Sequence, residues 1–321
     1  MIISNEQLRA LLRGATEIAE QNGHIVPYRF GKYVRESVYG EGNRFHGSTY
    51  HVSGVTVDFV TDSQHLSLSY LASDASGHTI DTFVDGVMVQ HSPCRALGSV
   101  SLELPEGEHR VTVYLPHHAT CELFDLTLDD GAQLAPAPAP SCRILFVGDS
   151  ITHGSTSAFA SMTYPHQVAR ALDAEIFNQG ISGAVFNPFA VDDQLDAEID
   201  MVISAFGTND WSLTTRGIFV GAANGQIARL RDKYPNLPIV ILLPLWRGDH
   251  TRRTAVGSFE DMRDILRDTA ARYGAQVIDG LELVPHVTSV FADARLHPNT
   301  FGFQFYAEEL VKRLPKVGKN K

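Results

Sequence analysis

The stretch RILFVGDSITHG, residues 143–154, decides the fold of the second half of this chain. It starts with a short apolar run, as expected for a parallel strand that is covered on both faces, and then turns at Gly148. Ser150 follows where a helix should begin, at the carboxyl end of this predicted strand. Proteins in which strands and helices alternate place their functional sites at this edge of the sheet.

The chain beyond this stretch alternates between short apolar runs and amphipathic segments. We predict strands over residues 143–147, 175–178, 201–206, 238–243 and 276–278, and helices over residues 164–172, 221–233, 259–273 and 300–314. The alternation predicts an α/β fold, a three-layer domain with a parallel sheet over residues 142–321.

The first half consists of short segments rich in Val, Thr, Tyr and Phe, separated by turn signals such as Asp85-Gly86. This pattern predicts an all-β sandwich of the jelly-roll kind over residues 31–131. Alternating Pro and Ala predict a semi-rigid linker over residues 132–141.

Residues 1–30 have the apolar spacing of an amphipathic helix. Ser4 and Gln7 form a capping-box pair at its start, and Gly23 stands just past its predicted end.

Composition excludes several classes of function. A net charge of −11 argues against nucleic acid or an anionic membrane as a partner. No apolar run approaches the roughly 18 residues of a membrane-spanning helix, and no secretory leader is visible, so we expect a cytoplasmic location. Three scattered cysteines do not suggest a disulfide framework. The histidines show no HxH or HExxH spacing, and His153 is interpreted as a polar surface residue, so no metal site is predicted.

Three further segments bring reactive groups to strand ends or to the start of a helix. They are NQGISG ending at Gly183, GTND containing Asn209, and HPN beginning at His297. Acyl transfer needs a hydroxyl nucleophile, an imidazole within reach, and donors for the oxyanion. Ser150 and His297 can supply the first two, while the N–H of Gly183 and the amide of Asn209 can supply the donors.

Together with GDSIT around Ser150, these ordered blocks resemble the SGNH (GDSL-like) hydrolase family. The resemblance implies that Ser150 is the nucleophile, that His297 is its base, and that no cofactor is required. It also implies an oxyanion hole formed by the N–H of Ser150, the N–H of Gly183 and the side chain of Asn209. A β-sandwich followed by a linker and the GDSIT strand is similar to carbohydrate esterase family two, which implies an O-acetylated sugar or oligosaccharide as substrate.

The chain departs from the family pattern at position 294, where Ala replaces the usual acid three residues before the histidine. Either Asp293, one residue further away, orients His297, or a backbone carbonyl near Arg295 does so. Trp211 follows GTND directly and either stacks on a sugar as a substrate-binding residue or packs in the core.

Two rival functions are a lipid-directed carboxylesterase or thioesterase, and a carbohydrate-binding protein whose acyl site is degenerate. The first would require a long apolar acyl groove, which a sequence does not show. The second is favoured only by the missing acid at position 294.

Overall fold

The structure is a computed structural model that describes residues 1–317, so residues 318–321 of the predicted α/β domain lie outside the described residues. Its first half is a sandwich of two antiparallel sheets. The strands are β1 Leu12–Arg13, β2 Glu17–Gln21, β3 His24–Tyr28, β4 Thr56–Thr61, β5 His65–Leu71, β6 Thr79–Val84, β7 Val87–Pro93, β8 Leu97–Glu103, β9 His109–Tyr114, β10 Glu122–Leu128 and β11 Leu134–Pro136.

One sheet has the order β1-β4-β9-β6-β7, with β11 also paired to β4, and the other has the order β2-β3-β10-β5-β8. Their inner faces enclose a continuous apolar core. The turn signal Asp85-Gly86 forms a hairpin, in which both residues have positive φ (48° and 81°) between the paired strands β6 and β7. Between β3 and β4 the chain forms a π-helix, Val34–Val38, and a short helix, α2 His46–Thr49.

The long N-terminal helix predicted within residues 1–30 is wrong beyond its first turns. Helix α1 covers only Asn5–Ala10, although its capping box between Ser4 and Gln7 is present. The chain then enters the sandwich as β1, β2 and β3. Asn22 and Gly23 have φ values of 52° and 82° and join β2 to β3 as a hairpin. Tertiary pairing and this Asn-Gly turn override the helical spacing of the apolar residues.

The predicted linker is partly incorporated into the sandwich. Within residues 132–141, strand β11 pairs with β4, and the N–H of Ala137 donates to the carbonyl of Asp58. Arg13 donates a hydrogen bond to the carbonyl of Ala137 at 2.7 Å. Pro136 has no backbone N–H to donate, but a strand at a sheet edge has no neighbour on its outer side that would need this donor, so proline is tolerated there.

The second half confirms the predicted three-layer α/β fold. Its parallel strands have the order β13-β12-β14-β15-β16, with helices and apolar clusters on both faces. The strands are β12 Cys142–Gly148, β13 Ala174–Gly180, β14 Met201–Ala205, β15 Ile239–Leu242 and β16 Gln276–Ile278; the helices are α3 Ser150–His153, α4 Tyr164–Leu172, α5 Thr208–Leu213, α6 Arg216–Lys233, α7 Phe259–Arg272 and α8 Thr300–Arg313. Short 3-10 helices cover Ala160–Met162, Pro188–Ala190, Gly280–Glu282 and Thr288–Val290.

The order of these strands places Ser150 at the switch point of the sheet. The chain leaves β12 to one side for β13 and returns to the other side for β14. The crevice outside such a switch point is where open α/β sheets bind their ligands.

Arg29 joins the two halves. Its side chain is buried between them, with 1% of the residue exposed. The guanidinium donates to the carbonyls of Ser48 and His51 in the first half, and to those of Asn178 and Gly180 at the end of β13. Burial lowers the pKa of Arg29 to about 9. Among residues 1–317, no helix combines the length and apolar character needed to cross a membrane.

Candidate active site

Ser150 is the first residue of α3 and lies against His297. Asp149 caps the helix by accepting a hydrogen bond from the N–H of Ile151 at 3.0 Å. Gly148 is required before this turn, because a Cβ there would lie 2.1 Å from the Thr152 hydroxyl oxygen. Ser150 Oγ is 2.9 Å from His297 Nε2, and 5% of the serine is exposed. The structure therefore places a hydroxyl and an imidazole in hydrogen-bond contact at the carboxyl edge of the sheet.

Asp293 lies on the other side of the imidazole. Its Oδ2 is 2.8 Å from His297 Nδ1, while its Oδ1 accepts from the N–H groups of Arg295, Leu296 and His297 at 3.0, 2.7 and 3.1 Å. Asp293 lies four residues before His297, one more than in the family pattern. Ala294 has a φ of 54°, and this left-handed turn accommodates the additional residue so that the carboxylate still reaches the imidazole. The carbonyl of Arg295 accepts instead from the N–H of Gly248 at 2.8 Å.

The charge on Asp293 fixes the tautomer of His297. Burial opposes ionisation of this carboxyl, but hydrogen bonds from the Leu296 N–H, the His297 ring and neighbouring backbone groups outweigh it and hold its pKa well below the ordinary value. An ionised carboxylate only accepts hydrogen bonds, so the proton of the neutral ring resides on Nδ1. Nε2 is then unprotonated where it faces Ser150.

The two predicted oxyanion donors lie on neighbouring loops. Gly183 has a φ of 79° and follows the end of β13, and its carbonyl accepts from Arg44 at 3.2 Å. Asn209 stands in the first turn of α5, and its side-chain nitrogen donates to the carbonyl of Ala184 at 3.0 Å. The side chain of Asn209 is thus held beside the residue that follows Gly183.

Trp211 is not a substrate-binding platform, which corrects one of the two interpretations of its position. The indole is fully buried, and its N–H donates to the carbonyl of Gly257 at 3.0 Å. Phe259 packs edge-on against the ring, and the guanidinium of Arg247 lies 4.9 Å from its centre. These neighbours cover the ring, so it packs in the core.

Arg247 supports the Asn209 loop, a role that the sequence analysis missed. Its residue is 2% exposed, and it donates to the carbonyl and hydroxyl of Thr208 at 3.1 and 2.9 Å. It also forms an ion pair with Asp249. The sequence signal was its place at the end of the apolar stretch that begins with β15, five residues beyond Leu242.

Two buried carboxyls flank the reactive groups. Burial raises the pKa of Asp149, next to Ser150, and of Asp210, next to Asn209, to about 7 in each case. Asp149 caps α3, and Asp210 accepts from the N–H of Phe186 at 3.1 Å, so both hold loops of the site.

His153 is fully buried, which corrects its interpretation as a surface residue. Its ring stacks on His118 with centres 3.9 Å apart, and ring nitrogens of His51, His118 and His153 lie within 4.8 Å of one another. Stacked rings do not direct their lone pairs at a common point, and Arg29 Nη2 lies 3.5 Å from His153 Nε2. A cation would meet a guanidinium there, so the geometry disfavours a metal. Burial lowers the pKa of His153 well below its ordinary value, which keeps the ring neutral.

Comparison with known proteins gives a family match for residues 146–305, to the model described as the GDSL-like Lipase/Acylhydrolase family. A curated relative, an acetylxylan esterase / glucomannan deacetylase from Cellvibrio japonicus (strain Ueda107), is 25% identical over 242 residues. That alignment covers 60% of this chain and 66% of the relative, just under two thirds of its length.

Two solved structures show the same fold over both halves. A salicylyl-acyltransferase from a tetracycline biosynthetic pathway superposes with a TM-score of 0.79 at 22% identity, over 97% of this chain and 95% of the other. A family two carbohydrate esterase from Cellvibrio japonicus superposes with a TM-score of 0.69 at 19% identity, over 98% and 96%. The arrangement of a β-sandwich before an α/β domain is therefore shared with solved proteins.

Proposed function

Since the α/β domain of this chain belongs to the GDSL-like lipase/acylhydrolase family, we propose that the protein hydrolyses carboxylic esters with Ser150 as nucleophile and His297 as general base. One observation carries this proposal: the continuous line of hydrogen bonds from Asp293 through His297 to Ser150. Acyl transfer to serine requires a hydroxyl next to an unprotonated imidazole nitrogen, with the other ring nitrogen held by an acceptor.

The reaction proceeds in two acyl-transfer steps. Ser150 Oγ attacks the ester carbonyl as its proton passes to His297 Nε2, and the alcohol leaves with that proton. Water then attacks the acyl-enzyme while the same nitrogen takes a proton from it, and the acid is released as Ser150 is restored.

Asp293 and the oxyanion donors act at the charged stages of each step. Asp293 remains ionised and stabilises the imidazolium that forms during attack. The N–H groups of Ser150 and Gly183 and the amide of Asn209 stabilise the negative oxygen, and loss of one such donor lowers the rate by about 10²–10³-fold.

For the substrate, we propose an acetyl ester on a sugar or oligosaccharide. The support is the curated relative, whose name gives acetylxylan and glucomannan as substrates, together with the shared two-part fold of the family two esterase. Arg44 and the Phe45 ring reach the oxyanion loop from the sandwich half, which is consistent with a cleft that both halves line. The cytoplasmic location and the absence of nucleic-acid and membrane partners stay predictions.

The experiment compares para-nitrophenyl acetate, butyrate and octanoate with acetylated xylan as substrates for the full chain. We expect turnover that falls as the acyl chain lengthens, and release of acetate from the polysaccharide. Ser150→Ala should retain about a hundredth of this turnover or less. The variant should still fold, because the hydroxyl contributes little to the packing of the core.

Other outcomes of the same experiment identify the rivals. A preference for octanoate would indicate a lipid-directed esterase or thioesterase. Binding of xylan without turnover of any ester would indicate a carbohydrate-binding protein. Turnover that survives Ser150→Ala would contradict the covalent route.

A further inference from the structure

The loop that carries Gly183 is held by side chains that are not part of the Ser150–His297–Asp293 line. Ser182 precedes Gly183, so the peptide group between them presents the N–H that the proposed function assigns to the oxyanion hole. Ser182 Oγ is 2.9 Å from Ser155 Oγ and 3.1 Å from His153 Nδ1, and the N–H of Ser182 donates to that same nitrogen at 3.3 Å.

A residue of the sandwich half completes this network. Ser155 Oγ is 2.9 Å from Nε2 of His118, which lies between β9 and β10. The N–H of Ser155 donates to the carbonyl of Ser150 at 2.9 Å. Ser155 therefore connects three parts of the molecule: the nucleophile turn through its backbone, and the Gly183 loop and the sandwich through its hydroxyl.

One placement of the hydrogens makes each contact among His118, Ser155, Ser182 and His153 Nδ1 a hydrogen bond; it puts the proton of the neutral His153 ring on Nε2, so the 3.5 Å approach of Arg29 Nη2 to that nitrogen is not one. His153 Nδ1 accepts from the N–H of Ser182, so it is unprotonated and must also accept from the Ser182 hydroxyl. The Ser182 oxygen then accepts from the Ser155 hydroxyl, and the Ser155 oxygen accepts from the N–H at His118 Nε2. The chain of bonds thus runs in one direction, from the sandwich to the oxyanion loop.

We infer that His118 is a positioning residue that, through Ser155 and Ser182, fixes the Ser182–Gly183 peptide in the orientation needed to bind the oxyanion. This inference rests on the proposed function, because that function gives the Gly183 N–H its role. The sandwich half then contributes to the chemical step by orienting an oxyanion donor, whether or not it also contacts the substrate. Preorganised donors stabilise an oxyanion because they need no reorientation during the reaction, so a loosened peptide slows the chemical step.

Four single variants and the double variant His118→Leu/Ser155→Ala test the inference. His118→Leu and Ser155→Ala remove the relay, whereas His118→Gln retains an N–H donor near the position of Nε2. His78→Leu is the matched control, because the His78 ring also stacks on His118, with centres 5.6 Å apart, but acts through packing. Rates with para-nitrophenyl acetate are divided by the concentration of active enzyme, which is measured as the amount of Ser150 that a fluorophosphonate probe labels at saturation.

We expect His118→Leu and Ser155→Ala to lower kcat by about tenfold or more with KM within about twofold, since small displacements of an oxyanion donor act on the transition state. The double variant should be no slower than the worse single variant, because both interrupt one chain of bonds. His118→Gln should recover most of kcat, and His78→Leu should retain it. A kcat within about twofold of the parent in His118→Leu, or a loss confined to KM, overturns the inference.

Hydrogen exchange followed by mass spectrometry gives a second measurement that does not depend on activity. His118→Leu should increase exchange in the peptide that contains Ser182 and Gly183, and His78→Leu should not. If the parent protein shows no Ser150-dependent turnover, the proposed function fails, and the exchange experiment still decides whether His118 fixes this loop. Unchanged exchange in His118→Leu refutes the positioning role.

Discussion

Replacing Asp293 by Asn reverses the tautomer of His297. In the parent chain the carboxylate accepts the Nδ1 proton at 2.8 Å and leaves Nε2 free for the Ser150 proton. The other carboxylate oxygen accepts three backbone N–H groups, so the oxygen of Asn must stay there and its NH₂ group must face Nδ1. The ring then accepts at Nδ1 and carries its proton on Nε2, where that proton prevents transfer from the serine.

The expected size of the effect comes from serine proteases, in which an aspartate orients the catalytic histidine in the same way. A wrong tautomer in serine hydrolases lowers kcat by up to about 10⁴-fold, which corresponds to about 5 kcal/mol of barrier. KM should change little, because the interaction strengthens only in the transition state. Asp293→Ala should be similarly slow, and its free energy of unfolding should also be lower by about 1–2 kcal/mol. Three backbone N–H groups lose the carboxylate as acceptor, and on this mostly exposed turn water replaces it only in part.

The assay measures initial rates with para-nitrophenyl acetate from pH 6 to 9, and urea unfolding of the same samples. Asp129→Asn is the matched control: Asp129 likewise accepts from the backbone N–H groups of Gln64 and His65 and lies 3.1 Å from the Nδ1 of His65, but in the sandwich half. This control should retain the parent kcat. If Asp293→Asn keeps more than about a tenth of kcat, the main chain orients His297 and the reasoning from tautomers is wrong.

Three further predictions concern stability. Trp211→Leu should lower the free energy of unfolding by about 3 kcal/mol with little effect on KM, and a rise in KM at unchanged stability would show that the indole meets substrate. Burial lowers the pKa values of His51, His117 and His166 to about 3, so these rings are neutral when folded and take up protons on unfolding below about pH 6.5. The pKa values of His118 and His153 are lowered at least as far, so the five rings together should lower the free energy of unfolding by about 7 kcal/mol between pH 7.5 and 5.5, about 1.4 kcal/mol each. Over the same range Asp149 and Asp210, whose pKa burial raises to about 7, take up protons only in the folded state and add about 2 kcal/mol each. The net loss should be about 3 kcal/mol, and equal urea midpoints at pH 7.5 and 5.5 would contradict this. Arg29→Met should lower the free energy of unfolding by about 3 kcal/mol or more, because buried carbonyls lose their donors, and a thermal midpoint equal to that of the parent would refute it.

The α/β half was predictable because its strands are short apolar runs that alternate with helical patterns. Predicted and observed limits agree within a few residues, as for residues 201–206 against Met201–Ala205. The meeting of Ser150 and His297 followed from the same pattern, since strand ends of a parallel sheet share one edge.

The remaining features depend on contacts that the sequence does not display. The apolar spacing in residues 1–30 fits a helix, while Asn22-Gly23 is a hairpin turn signal, and pairing with the rest of the sandwich decides between the two. Ala has no preference for positive φ, so the residue that brings Asp293 to His297 gives no local signal. The burial of Trp211 and His153 is decided by segments distant in the chain, Gly257 and His118 among them.

The four carbonyls that converge on Arg29 also limit how such a protein can be rearranged. A recombination point in the Pro/Ala segment would exchange whole halves between homologues and look harmless in the sequence. Yet a sandwich half with no arginine at this position would leave the carbonyls of Asn178 and Gly180 without the guanidinium donor that they have here. Libraries of shuffled variants should therefore place their crossovers before Arg29 or after Gly180, so that the guanidinium and the carbonyls it binds come from the same parent.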